Sequence, residues 1–349
     1  MIRRLEQIAI LVLWFGLKGN PAMGQATPAT ILEVDVENVV AYQADVSDPK
    51  KLATNPNVTP VDGPIRNFKA GVVLGDIVSV NSQPATGSYV SGVVQISTTP
   101  APNPGQAIAD TAHTSIRSQT LEILKSDGTP VGTIMCLGLD SGPAPPGAFN
   151  ALYQSAVLPS DQTKGNYAIV GGTGAFFGVR GQLVQRAQAL EANPPRLASM
   201  AEDPANRRIN GGGRIQFFLR VLPMFVPEVL TTPSGPAVTH SNDFSRVSAS
   251  RPAAAGEILS LFAAGLGPTV PGVDPGQAFP ASPLAVVNSP VEVKVNGKSA
   301  EVLAAAGFPG SLDGYQVNFR VPPETAKGTA AVQVSAAWIA SAPVSIAVQ

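Results

Sequence analysis

The sequence predicts an all-β protein of two domains, the first with strands enough for an eight-stranded antiparallel barrel. Three observations carry this expectation. Charged residues make up only 13% of the 349-residue chain, too few for long charged amphipathic helices. The chain holds 34 glycines and 33 prolines, which suits many short strands joined by tight turns. Runs that alternate apolar and polar residues recur along it, the period of a half-buried strand. At this length two domains can each bury a core.

The chain opens with a leader. Arg3 and Arg4 precede an apolar run from Ile8 to Leu17, and Ala22 and Gly24 stand at cleavage-site spacing. Residues 1–24 therefore read as a secretory signal, and the mature protein as secreted or periplasmic. The run is shorter than the roughly 20 apolar residues that span a bilayer, and no second candidate follows, so no stable membrane span is expected after cleavage. Barrel strands are expected at 31–42, 70–81, 88–98, 115–125, 131–139, 167–170, 178–188 and 214–221, within a domain spanning 30–222. In the first of these, Leu32, Val34 and Val36 share one face, and Glu33, Asp35 and Glu37 the other. SDGTP after Lys125 supplies a hairpin turn, and Asn210 to Gly213 supplies another just before the last strand. Prolines of STTPAPNPGQ and LDSGPAPPGA cannot donate to a ladder, so both loops belong on the rim or surface.

Between the sixth and seventh strands stands YAIVGGTGAFFGVRG, with Gly171, Gly172, Thr173, Gly174, Phe176, Gly178 and Gly181. Its glycines suit a bulge or closely approaching strands, with Phe176 or Phe177 filling the barrel end. The spacing is not G-x-G-x-x-G, and the β-like GVRGQLVQ follows in place of a helix, so a dinucleotide loop is disfavoured. The segment resembles the late hairpin of the dirigent and allene-oxide-cyclase barrel superfamily. That resemblance implies a closed barrel, with a cyclase and proteins that steer radical coupling among its members. It permits a homo-oligomer.

From residue 223 the texture changes, and a second domain is expected over 223–349. VEVKV and AEVL flank Asn296-Gly297, a strong hairpin signal, and further strands are expected at 315–321 and 330–334. With Gly265-Leu266-Gly267-Pro268, Gly307-Phe308-Pro309-Gly310 and Tyr315-Gln316-Val317-Asn318, the segment resembles the C-terminal domain that ends many secreted acidobacterial proteins. The resemblance implies an immunoglobulin-like sandwich and attaches no activity to it.

Candidate chemistry is sparse. With 23 basic and 24 acidic residues the chain has no field to attract phosphate backbones, so nucleic acid is not an expected partner. His113 and His240 are the only histidines and Cys136 the only cysteine, so neither a metal site nor an intramolecular disulfide is expected, and no cofactor motif is present. Cys136 reads as a small buried apolar residue, and Trp338 as core. Asp110 with His113, or His240 with Asp243, could act as an acid/base pair, but turn-capping is the commoner role of such loop histidines. In an up-and-down barrel the first and last strands meet, so Glu33, Asp35 or Glu37 is expected to pair with Arg214 or Arg220 across that seam if the acids do not simply face water. Three functions follow: a barrel holding a small apolar or aromatic ligand with a display domain behind it, a cyclase or isomerase that works by positioning its substrate, or a structural envelope module.

Overall fold

A computed structural model describes residues 29–45, 67–97, 114–141, 163–186, 192–199, 201–274 and 276–349. The segment expected to be a leader, Asp110, His113 and most of the two proline-rich loops lie outside the described residues. Every described element is a strand apart from a 3-10 turn at Pro204–Arg207, and no described helix is long and apolar enough to cross a membrane.

Nine strands build the first half: β1 (Thr30–Asp45), β2 (Asn67–Val80), β3 (Gln83–Ser97), β4 (Thr114–Leu124), β5 (Pro130–Ser141), β6 (Thr163–Gly174), β7 (Arg180–Arg186), β8 (Arg196–Ser199) and β9 (Gly213–Leu222). Strands β1 to β7 pair antiparallel in chain order, β7 pairs with β9, and β9 returns to β1. This closes an eight-stranded barrel, which leaves the eight staves no free edge. Strand β1 serves two partners on one side: Thr30 to Val39 lie against β9, and Val40 to Gln43 against the parallel β8. The handover falls at a bulge where Asn38 has φ 53° and both ladders shift register. Such a bulge bends the strand and sharpens its twist, which a closing barrel needs.

The period-two pattern decides the inside. Leu32, Val34 and Val36 are fully buried, while Glu33, Asp35 and Glu37 point outward. At the end where β1 begins, the interior is filled by Leu32, Val80, Ile123, Ile134, Phe176 and Val221, among others. The Tyr89 and Phe217 rings pack in a tilted arrangement, 4.9 Å between centroids, across the middle. Each such side chain contributes roughly 1.5–3 kcal/mol of burial.

The β6–β7 hairpin makes this plug possible. A Cβ on Gly172 would come 2.5 Å from the carbonyl oxygens of Thr133 and Phe176, and one on Gly181 would come 1.9 Å from that of Arg220. The bare backbones let the turn fold over the barrel mouth and drive Phe176 inward. Phe177 points the other way and is mostly exposed.

The second half has thirteen short strands: β10 (Glu228–Val229), β11 (Thr231–Thr232), β12 (Gly235–Pro236), β13 (Val238–His240), β14 (Ile258–Ala264), β15 (Thr269–Val270), β16 (Val286–Val287), β17 (Val291–Val295), β18 (Lys298–Gly307), β19 (Tyr315–Arg320), β20 (Gly328–Ala336), β21 (Ile339–Ala340) and β22 (Val344–Val348). Eleven of them form one curled sheet whose main path runs β10-β14-β19-β18-β17-β20-β21, and β11 pairs with β12 apart. The β17–β18 hairpin turns on Asn296 and Gly297, both at positive φ, as the type I′ geometry requires. Leu261, Val293, Phe319, Val332 and Val334 are fully buried in a second core.

This sheet caps the plugged end of the barrel. Ala337 joins the barrel core, the Trp338 indole N–H donates to Gln83 Oε1 at 2.9 Å, and Asn288 Nδ2 donates to the Pro130 carbonyl. Trp338 is thus half-buried at a junction, where the sequence suggested a core position.

Candidate functional site

The barrel interior changes character along its axis. Beyond the apolar plug the same inward phase of the strands carries Ser91 on β3, Arg117 and Gln119 on β4, Tyr167 on β6 and Gln185 on β7. These positions alternate with outward ones in the ordinary way: on β4, Gln119 follows Arg117 and precedes Leu121 and Ile123 on one face, while Ser118 and Glu122 are exposed on the other. Register then sets the neighbours. Ser91 lies opposite Gln119, and Gln119 opposite Cys136. Arg117 and Tyr167 both lie opposite Gly138, one on each side of it. That glycine presents no side chain between a guanidinium and a phenol.

Ser91, Gln119 and Gln185 are each at most 3% exposed. Tyr89 donates its hydroxyl to Gln119 Oε1 at 2.8 Å. Ser91 Oγ, Gln119 Nε2 and Gln185 Nε2 have no partner among the described residues. A buried polar group left unsatisfied costs about 1–3 kcal/mol, and all three groups stand at inward positions of the barrel, each closed from solvent in this structure. Two amides, a hydroxyl and an arginine suit a carboxylate or carbonyl head, and the apolar plug suits a hydrocarbon or ring.

Cys136 is buried beside this region, and burial pushes its thiol up to about 12, so it supplies no thiolate nucleophile.

The residues singled out from sequence sit elsewhere. Across the β1–β9 seam Arg214 Nη2 donates to Asp35 Oδ1 at 2.9 Å, and Asp35 also accepts from Ser79 Oγ and Gln216 Nε2. Burial raises the Asp35 pKa, and these hydrogen bonds outweigh it and lower the carboxyl below its usual value. Glu33 is in register with Phe218, Glu37 with Asp76, and Arg220 with Ile31 and Gln182. All of these lie on the outer wall, away from the interior. Gly171, Gly172, Thr173, Gly174, Phe176, Gly178 and Gly181 form the plug hairpin, where Thr173 and Thr133 share a hydroxyl contact at 2.7 Å. His240 is buried, with Nδ1 2.6 Å from Glu257 Oε1, while Asp243 is engaged by Arg251. A His240–Asp243 pair is therefore not formed. Among the described residues no group of three His, Cys, Asp or Glu is placed to hold a metal.

Sequence reasoning missed a further cluster. The 3-10 turn, capped by Asp203 accepting from the Ala205 N–H, presents Arg207 and Arg208 to Asp76 on β2. Asn38 at the bulge donates to the same carboxylate at 2.9 Å. It also missed Ser91, Gln119 and Gln185, although each stands in the inward phase of an alternating run, a signal that was present. No protein-family model matches the chain, and no curated protein matches it.

Proposed function

We propose that the barrel binds one small apolar or aromatic molecule, with a carboxyl or carbonyl head turned toward Arg117, Gln119 and Tyr167. The observation that carries this is the set of inward, buried Ser91, Gln119 and Gln185 groups with hydrogen-bonding capacity to spare. We read the protein as exported through its leader and as a dirigent-like barrel. The second sheet, whose β14–β19 and β17–β20 pairs supply side chains to one core, we read as an immunoglobulin-like sandwich used for display or interaction. Native mass spectrometry of protein purified from the periplasm or medium tests the reading. A retained mass that is lost in Gln119→Leu is expected, and the same spectrum counts the copies in any homo-oligomer. A bare chain, with Gln119→Leu merely more stable, would refute it in favour of a structural module.

A second reading, a cyclase or isomerase, draws on the Arg117 and Tyr167 side chains flanking Gly138. A cation and a phenol over an open floor can hold a reactive substrate in one conformation and stabilise charge that develops on it. Turnover of the retained molecule that is lost in Tyr167→Phe, with binding kept, would favour this reading.

A further inference from the structure

Between the plugged end of the barrel and the capping sheet lies a cleft of about 380 Å³. Its barrel side is formed by Phe177 and Val179 of the glycine-rich hairpin, together with Met224 and Phe225 just after β9. Its sheet side is formed by Leu266, Leu312, Tyr315 and Ile339. Phe177, Met224, Phe225 and Leu312 are each more than half exposed, an unusual concentration of large apolar surface. The volume falls in the range of small-molecule sites, roughly 300–1,000 Å³.

One polar group on this wall has no use within the fold. Ser289 is 4% exposed, and its Oγ has no partner among the described residues. Its backbone is fixed from both sides. The preceding Asn288 donates from its backbone N–H to the Pro268 carbonyl at 2.8 Å and from its side chain to Pro130 of the barrel. The following Pro290 accepts from the Ala337 N–H at 3.0 Å. The Tyr315 hydroxyl is already spent on the Gly267 carbonyl at 2.7 Å; Ser289 Oγ is closed from solvent but, with no partner to hold it, can turn about χ1 toward the cleft to meet a guest. Asp313 also lines the cleft, and its negative charge disfavours an anion there.

We propose that this cleft is a second binding site, for an uncharged aromatic or alicyclic molecule carrying one hydrogen-bonding group that meets Ser289 Oγ. It is distinct from the barrel interior, where Arg117 suits an acidic head, and it does not rest on that reading.

The test is a fluorescence titration of the full mature chain with N-phenyl-1-naphthylamine, a neutral probe with one N–H donor. Saturable enhancement at one site is expected. Ser289→Ala should weaken it about three- to tenfold, the worth of one hydrogen bond, and should not destabilise the free protein. Leu312→Trp, which fills the cleft from an exposed position, should weaken it more than tenfold, and Arg117→Gln in the barrel should leave it unchanged. No saturable enhancement would overturn the proposal. So would enhancement that Arg117→Gln removes and Ser289→Ala leaves intact, because the probe would then be in the barrel. Should Leu312→Trp fail to fold by circular dichroism, Ser289→Ala decides alone. A chain without a retained ligand by mass spectrometry leaves this titration unaffected, so the two sites fail separately.

Discussion

Asp76 carries more of the barrel's local electrostatics than any acid on the seam. Burial would raise its pKa, yet hydrogen bonds from Arg208, Arg207 and Asn38 outweigh this and hold it at about 2, against 3.8 for a free aspartate. Because the folded value lies below the unfolded one, the stabilisation is present above about pH 4 and is lost as pH falls through about 2. Its size is on the order of 2 kcal/mol. Asp76→Asn is therefore expected to lower the urea midpoint at neutral pH and to flatten the acid limb of stability between pH 4 and 2, as measured by denaturant titrations across that range. The outer Asp35–Arg214 pair is half-exposed on the arginine side and should contribute no more than about 1 kcal/mol. At this scale the sequence hid the stronger pair. Arg207 and Arg208 lie in a polar stretch with no period, more than a hundred residues from Asp76, so nothing local linked them.

Among the elements, the β6–β7 hairpin is where composition and architecture meet. Gly181 has φ 147° and would place a Cβ against the Arg220 carbonyl, inside the β7–β9 ladder. Gly181→Ala must push two staves apart, and it is expected to cost about 2–4 kcal/mol in urea unfolding. Loss of amide-exchange protection should concentrate on β7 and β9. Most strands were legible because alternation marks the buried face directly, and β1, β4 and β9 follow their expected spans within a few residues. Strand β8 was not, because Arg196–Ser199 is four residues long and too short to show a period. The β1 bulge was equally hidden, since Asn38 departs from the strand pattern by one residue and its effect is felt in the partners' register.

Taken as one molecule, the chain has two cores that touch through few residues, with Ala337 and Trp338 reaching from the capping sheet into the barrel end. The chain holds only two tryptophans, Trp14 and Trp338, so in a protein without its leader Trp338 reports the junction alone. Unfolding followed by its emission should coincide with that followed by circular dichroism. Trp338→Ala is expected to lower stability by about 2 kcal/mol and to separate the circular dichroism trace into two steps. The junction was the least legible part of the sequence. It arises from strand register in segments far apart in the chain, and both motif-rich stretches, one around Phe177 and one at 265–268, revealed their common cleft only once folded. The lone thiol offers a further consequence. Cys136 sits sealed within the staves, its proton held until about pH 12, so an alkylating reagent at neutral pH finds it only in molecules that have come apart. The rate at which iodoacetamide adds mass to the intact protein should therefore count those openings, and it should quicken in Gly181→Ala: a stopwatch the chain carries without any label.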